Sequence, residues 1–318
     1  MILRGLALVL LFAQSEPKAS TRFQVIRFKE NPILHPGLKG LEGDLGRNIN
    51  GPSLIRVPAW IDHPLGKYYL YFAHHSGAYI RLAFADRLEG PWTVHAPGVL
   101  HVNDAPGRGH IASPDVHVDE AAKEIRMYFH QPPAKESAAK EQQTYVALSK
   151  DGLRFAARKD ELGHAYMRVF EVKGARYGFG MGGTADGVFM KSPDGLQPFE
   201  DGPRCLPKVR HSALWVESGT LHLLYTIVGE APERILHSTV DLTKDWKAWA
   251  PSPGEIVLEP ERDYEGAKEP LVSSKNGAIA GPVRQLRDPA VFHEDGRRYL
   301  LYAVAGEQGI AIAELRGN

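Results

Sequence analysis

The chain has 318 residues, 43% hydrophobic and 24% charged, the proportions of a globular protein with a sizeable core. Its 38 basic and 38 acidic side chains cancel, so nothing in the charge balance points to a polyanion, and nucleic acid is excluded as a first partner. The single cysteine, Cys205, rules out an intrachain disulfide, and stability must come from packing.

The first segment, "MILRGLALVLLFAQSEPKAS", places one arginine before an apolar stretch from Leu6 to Ala13 and then small and polar residues. That is the pattern of a short secretory signal, too short to span a bilayer in the mature protein. Residues 1–20 are therefore predicted to be a signal peptide, the protein to be secreted or periplasmic, and the mature chain to lack a membrane span. Residues 21–318 are predicted to form a single domain, because all-β folds commonly run to this length as one unit.

Beyond residue 20, short β-branched and aromatic runs alternate with Gly, Pro and Asp turns. "TRFQVIRF" (21–28) stands alone. A triplet then begins: "GPSLIRV" from Gly51, "YYLYFAHH" from Tyr68 and "YIRLAFADR" from Tyr79. The second triplet is "SPDVHV" from Ser113, "IRMYFHQ" from Ile125 and "TYVALSKDG" from Thr144. The third is "YMRVFEV" from Tyr166, "RYGFGMGG" from Arg176 and "GVFMKSPDG" from Gly187. The fourth is "HSALWV" from His211, "LHLLYTIVG" from Leu221 and "RILHSTVDL" from Arg234. The last is "DPAVF" from Asp288, the run around Leu300 to Val304, and "GIAIAELRG" from Gly309. Pro289 to Tyr302, Ser212 to Tyr225 and Met167 to Gly180 are each 13 positions apart, and Pro114 to Tyr128 are 14. A strand triplet repeated in this way implies radial repetition, because a lone sheet cannot bury both faces. The predicted fold is all-β, a five-bladed β-propeller rather than a sandwich. The fifth copy ends one strand short, and residues 21–28 are predicted to supply that outer strand and close the ring, which protects the sheet edges.

In a propeller blade the innermost strand leaves one mouth of the channel and the second strand returns to it. Strand-one starts and the loops after strand two therefore share a mouth. The starts supply Asn50 with Gly51, Ser113 with Asp115, Tyr166 with Arg168, Arg210 with His211, and Arg287 with Asp288. The loops supply His74 and His75, His130 and Gln131, Thr184 and Asp186, Glu230, and Glu307 with Gln308; His110 maps nearby. Carboxylates and imidazoles together suit acid–base work or dense hydrogen bonding to a polyhydroxylated ligand. Arginines suit an anionic group such as a uronate or sulfate. A histidine could replace a carboxylate as acid or base. The histidines lack close ligand spacing, so neither a metal nor another cofactor is predicted. Trp60 could stack on a sugar face, whereas Trp92, in "GPW", reads as blade packing.

With "RDPAVF" (287–292), "SPDVHV" (113–118), "ENPIL" (30–34) leading to "NGPSLIRV" (50–57), and "LAFADRLEGPW" (82–92), the chain resembles the five-bladed glycoside hydrolases of family 43 and their neighbours in families 32, 117 and 130. The resemblance implies a carbohydrate substrate and hydrolysis by a carboxylate pair in the mouth. It also implies a base aspartate immediately before proline at the start of the first blade; here that position is Gly51. The acidic residue expected to open the third blade is absent too, since "AYMRVF" stands there. Asp288, in the family-like Asp-Pro setting, is the first candidate for a working carboxylate, followed by Asp115, Glu230 and Glu307. Asn50, His74, His75, His130, Arg168, Arg210, His211 and Arg287 are the candidate substrate-binding residues. Two functions are compatible with this pattern: a secreted glycosidase, and a non-catalytic carbohydrate-binding propeller on a hydrolase scaffold.

Overall fold

The computed structural model describes residues 18–20, 22–183 and 186–317. The predicted signal peptide falls outside these residues up to position 17, and so does the candidate loop residue Thr184. Lys18 to Ser20 are already part of the fold, since Ser20 N–H donates to the Ile256 carbonyl and Ile256 N–H donates to that of Lys18. The folded unit thus includes residues ahead of the boundary expected at 20.

The described chain is built from strands and short 3₁₀ turns, and no helix is long and apolar enough to cross a membrane. Strand β1 is Phe23–Arg27. The next four strands form one antiparallel sheet: β2 (Asn50–Arg56), β3 (Tyr68–Ala73), β4 (Tyr79–Ala85) and β5 (Thr93–His101). Then come β6 (Ala112–Asp119), β7 (Glu124–Gln131), β8 (Gln143–Ser149) and β9 (Ala156–Ala157), followed by β10 (Gly163–Val172), β11 (Ala175–Met181), β12 (Asp186–Ser192) and β13 (Glu200–Pro207). These two sets join into one larger sheet, because Gly163 and His164 of β10 pair with Thr144 and Gln143 of β8. A further sheet holds β14 (Val209–Glu217), β15 (Thr220–Ile227), β16 (Ile235–Asp241) and β17 (Glu255–Leu258). The last holds β18 (Arg287–Glu294), β19 (Arg297–Ala303) and β20 (Ile310–Gly317), with β1 as its outer strand.

β1 runs antiparallel to β20 from the pair Phe23–Gly317 to the pair Arg27–Ala313, as predicted for residues 21–28. Arg27 fastens it: its Nε donates to Glu265 Oε1 at 2.7 Å, and the same buried carboxylate accepts from Tyr302 Oη at 2.9 Å and from two backbone N–H groups.

Apolar layers fill the spaces between neighbouring sets of strands. Leu54, Leu70 and Phe72 pack with Phe292, Leu301 and Ile312, while Tyr69, Tyr71 and Leu82 pack with Val116, Met127 and Phe129. Tyr128 and Val146 meet Met167, Val188 and Met190; Phe179 and Phe189 meet Leu221, Leu223 and Trp249; and Ala213 and Leu224 meet Leu300, Tyr302 and Ala313. The second strands carry apolar residues on both faces because each face meets a neighbour, which is why "YYLYFA" of β3 is buried throughout. Their tyrosines are buried with hydroxyls satisfied, as in Tyr71 Oη to the Gly152 carbonyl at 2.9 Å. Each such side chain contributes about 1.5–3 kcal/mol by burial.

One feature recurs in β2, β6, β10, β14 and β18. The ladder to the second strand slips between Asn50 and Ser53, Ala112 and Asp115, Ala165 and Arg168, Val209 and Ser212, and Arg287 and Ala290. A bulge of this kind bends the strand and re-aims a side chain. The residue after the first pair is left-handed in four of these strands: Gly51 (φ 59°), Ser113 (51°), Tyr166 (56°) and Asp288 (48°). Arg210 is the fourth strand's counterpart. The bulge, rather than the 13-residue offset, is thus what the repeat keeps. Residues pair as Ser212–Tyr225 and Asp115–Tyr128 but as Arg168–Phe179 and Ala290–Leu301, so hairpin length varies, and His211 rather than Ser212 matches Pro289.

Candidate functional site

The bulges deliver Gly51, Ser113, Tyr166, Arg210 and Asp288 to one end of the molecule, the end of β7 adds His130, and the loops after β3 and β19 add His75 and Glu307. Left-handed backbone in Ser, Tyr and Asp costs free energy and persists only where surroundings enforce it, commonly at functional sites.

At the centre lies Asp288, 2% exposed. Its Oδ1 pairs with His211 Nδ1, and its Oδ2 accepts the Gly51 backbone N–H at 3.2 Å. Burial pushes the Asp288 carboxyl up, but His211, Arg210 and Arg287 outweigh it and hold the group well below the usual carboxylate range. Burial, aided by Arg210 and Arg168, pulls His211 down to about 4 against the attraction of Asp288. At neutral pH the pair is therefore carboxylate and neutral imidazole, with the Nδ1 proton facing Asp288. The Tyr166 ring meets His211 edge-on at 4.6 Å and His130 at 4.2 Å. Burial pushes the Tyr166 hydroxyl up to about 12, so it stays protonated.

Around this pair sits a buried ionic cluster. Arg287 Nη1 donates to Glu307 Oε1 at 2.8 Å, and its Nε lies 3.1 Å from Glu233 Oε2. Gln285 Oε1 accepts from Arg287 Nε and Nη2 at 3.0 and 2.6 Å. Arg210 Nη2 reaches Glu307 Oε1 at 3.4 Å, and Asn48 Nδ2 donates to Glu307 Oε2. Burial pushes Glu307 up, but His75 and Arg287 more than offset it and leave it below the ordinary glutamate value. Glu233 is raised by its burial in spite of Arg210 and Arg287.

A cavity of about 210 Å³ opens above, lined by His75, Gln142, Tyr166, Arg210, Asn276 and Gly277 among others. His130 is buried against the Tyr166 ring with both ring nitrogens unpartnered, and the Gln131 Nε2 is likewise buried without a partner. Burial lowers the pKa of both His130 and His110, which keeps them neutral. These are neutral donors and acceptors, the chemistry that recognises hydroxyl groups.

Asp288, His211, Glu307, His75, His130, Arg210 and Arg287 are thus assembled at one mouth, while other candidates lie elsewhere or are committed. Asp115 sits two residues beyond the bulge position and lines a separate cavity of about 430 Å³ with His117, Trp215 and Arg298. Its Oδ2 accepts from Val169 N–H and meets His117 Nε2, both at 2.8 Å. Glu230 is tied to Arg234 at 3.3 Å rather than to the central cluster. Asn50 donates to Asn48 Oδ1 at 2.9 Å, and His74 Nδ1 accepts the Ser76 N–H at 3.0 Å within its own turn. The arginines are committed as well. Arg168 donates to the carbonyls of Pro114 and Ser212, and Arg210 and Arg287 hold Glu307, Glu233 and loop carbonyls, so none offers a guanidinium fork to an anion. The uronate- or sulfate-binding role expected of them is not supported by this arrangement. Trp60 bonds Glu120 at 3.1 Å away from the mouth, while Trp92 is packed inside the sheet layers. Sequence reasoning missed Asn48, Glu233 and Gln285, which come from irregular loops with no periodic signal.

The all-β fold is similar to that of glycoside hydrolases of family 43. A thermostable family-43 glycoside hydrolase superposes with a TM-score of 0.58 at 13% identity, over 85% of this chain and 89% of that one. A GH43_1 enzyme from Xanthomonas citri complexed with xylotriose gives 0.58 at 15%, over 85% and 87%; an alpha-L-arabinofuranosidase from Lactobacillus brevis gives 0.58 at 12%, over 89% and 92%. At such identities the likeness is one of fold. No family model matches the sequence. The chain is 36% identical over 330 residues to uncharacterized protein R118 of Acanthamoeba polyphaga mimivirus, covering 92% of this chain and 90% of that protein, and it belongs to the same family.

Proposed function

We propose that the protein is a glycan-recognising, five-bladed propeller closed by β1, which binds carbohydrate at the Asp288–His211 mouth without the carboxylate-pair chemistry of the hydrolases whose fold it shares. The apolar layers described above link the successive units in a circuit, which supports the blade count. The observation that carries the functional reading is that the two candidate carboxylates brought to the mouth, Asp288 and Glu307, are both engaged by neighbouring groups. Asp288 is held by His211 and Gly51, and Glu307 by Arg287 and Asn48, while Glu233 lies 3.1 Å from Arg287 Nε without a hydrogen bond and Glu141 borders the cavity. A glycosidase pair needs one free acid and one free base facing a shared substrate. Gly51, where the resemblance expects a base, offers only its backbone N–H. The neutral polar side chains Gln142, Tyr166 and Asn276 in the cavity wall suit hydroxyl-rich ligands, and neighbours of this fold include structures complexed with xylose and xylotriose. Secretion, from the N-terminal pattern, belongs to the same proposal.

One observation favours a second reading, hydrolysis with a histidine base. His211 is neutral and its tautomer is fixed by Asp288, which leaves Nε2 as a proton acceptor at neutral pH. The deciding experiment sets binding beside turnover on a panel of xylo-, arabino- and gluco-oligosaccharides, for the wild type and Asp288→Asn. Binding without product release is expected. Turnover abolished in Asp288→Asn would establish the second reading, and a panel that neither binds nor reacts would remove both.

A further inference from the structure

Where β1 meets the sheet of β14–β17, aromatic rings stack across the seam. Trp215 of β14 lies on His222 of β15 with ring centroids 4.5 Å apart and planes 8° from parallel, and His222 lies 5.2 Å from His237 of β16. Phe23, the first residue of β1, meets His237 edge-on at 5.0 Å, Trp215 at 6.0 Å and His222 at 6.5 Å. The Arg298 guanidinium of β19 sits over the Trp215 ring at 4.4 Å. The two imidazoles are joined directly, with His222 Nδ1 and His237 Nε2 3.0 Å apart, so one nitrogen carries a proton and the other a lone pair. Charged and titratable groups reach the pair from each neighbouring strand. Glu217 of β14 lies 3.8 Å from His222 Nε2 and accepts from Arg298 Nη2 at 3.0 Å. Arg298 Nε donates to His293 Nε2 of β18 at 3.0 Å. Ahead of β1, Arg22 approaches Glu255 at 3.7 Å, and Glu255 of β17 pairs with His237 in the ladder.

An added proton puts a charge into this stack, where His237 is 1% exposed and two guanidinium groups are near. A second added proton sets two N–H donors face to face. We propose that the His222–His237 pair is an acid-sensitive latch on β1: the neutral pair keeps Phe23 and the start of the strand docked, and protonation of the pair undocks them. Arg27, bonded to Glu265 at the far end of β1, stands outside the stack, so the strand peels from Phe23 first. Burial, with Arg298 and Arg22 against Glu217, lowers His222 to about 4. Burial, with His222, Arg22 and Arg298, lowers His237 to about 3. Burial and Arg298 lower His293 as well, against Glu217. Rings freed by undocking return toward 6.5. The preference for the docked state is therefore whole above about pH 6.5 and shrinks as pH falls, by up to about tenfold per pH unit for each histidine. The latch thus responds to mild acid, well before the docked rings themselves are charged.

The test is hydrogen–deuterium exchange of the full chain at about pH 7 and about pH 5, corrected for the intrinsic exchange rate and read on peptides covering β1. Opening of β1 is expected to be at least about tenfold more frequent at the lower pH. His211→Gln is expected to keep that increase, because undocking of β1 leaves the mouth intact, whereas His222→Gln combined with His237→Gln is expected to abolish it. An increase that is absent from the wild type, survives the double substitution or disappears with His211→Gln overturns the proposal. A ¹⁵N titration of the wild-type imidazoles checks it without any substitution. His222 and His237 are expected to stay neutral down to about 4, and either ring titrating near 6.5 in the folded protein would contradict the latch.

Discussion

Two aspartate–histidine pairs lie near the axis of this molecule, and they differ in what surrounds them. Asp288–His211 is sealed at the mouth, with side chains 3% and 5% exposed and Arg210 and Arg287 close by; Asp115–His117 borders the larger cavity, with side chains 14% and 41% exposed. Both carboxylates also accept a backbone N–H, from Gly51 and Val169 respectively. The same pair of residue types therefore serves as the keystone of a charge cluster in one place and as a half-solvated strand-to-strand tie in the other. Surroundings, not residue identity, decide which.

The largest expected contrast is in stability. Asp288→Ala strips the counter-charge from a buried cluster holding two arginines and is expected to cost about 3–5 kcal/mol in urea unfolding. Asp115→Ala removes hydrogen bonds and one ion pair, to Arg168 at 3.6 Å, at a wetter site, and is expected to cost about 1–3 kcal/mol. Equal losses would erase the distinction. Next in size is the pH dependence. The unfolded His211 takes up a proton near 6.5 and the folded one only near 4, so stability from this group is complete above about pH 6.5 and is lost as pH falls toward 4. Asp288, held below its unfolded 3.8, adds stability above that value which is lost at still lower pH. His211→Gln is expected to flatten the slope of unfolding free energy between pH 6.5 and 4, and an unchanged slope there would contradict the assignment. The smallest effect is expected at Gly51, left-handed at φ 59° and donor to Asp288. An added Cβ meets only ordinary contacts, 3.4 Å from Ser113 Cα at the nearest, so Gly51→Ala is expected to cost about 1–2 kcal/mol through its backbone alone. A larger loss would show that the Gly51 N–H also steers the pair.

Much of the fold was legible because strand triplets and their turns are local signals. The fifth triplet lacks an outer strand and "TRFQVIRF" stands alone, and the two meet in the pairing of β1 with β20. The mouth was legible in part, since the alternation of strands brings Asp288, His211 and Glu307 together whatever their loops do. The partners were not legible. Nothing in "RDPAVF" reveals that Asp288 is taken by His211, a residue on another sheet, or that Arg287 meets Glu233 and Gln285 from loops without periodicity. Residue types suggested free acids and free arginines, whereas the tertiary structure shows that each already has its partner. Asp115 lies apart from Asp288 for a simpler reason. Past the bulge, two residues along a strand is a full step down the channel, and the side chain enters a different cavity.

The most direct test is a ¹⁵N-detected titration of the His211 imidazole in the intact protein. The expected result is a neutral ring with its proton on Nδ1 from pH 7 down to about 4, and a lone pair on Nε2. A ring that titrates near 6.5, or one that carries its proton on Nε2, would mean that Asp288 does not hold it and that the mouth is not locked as described.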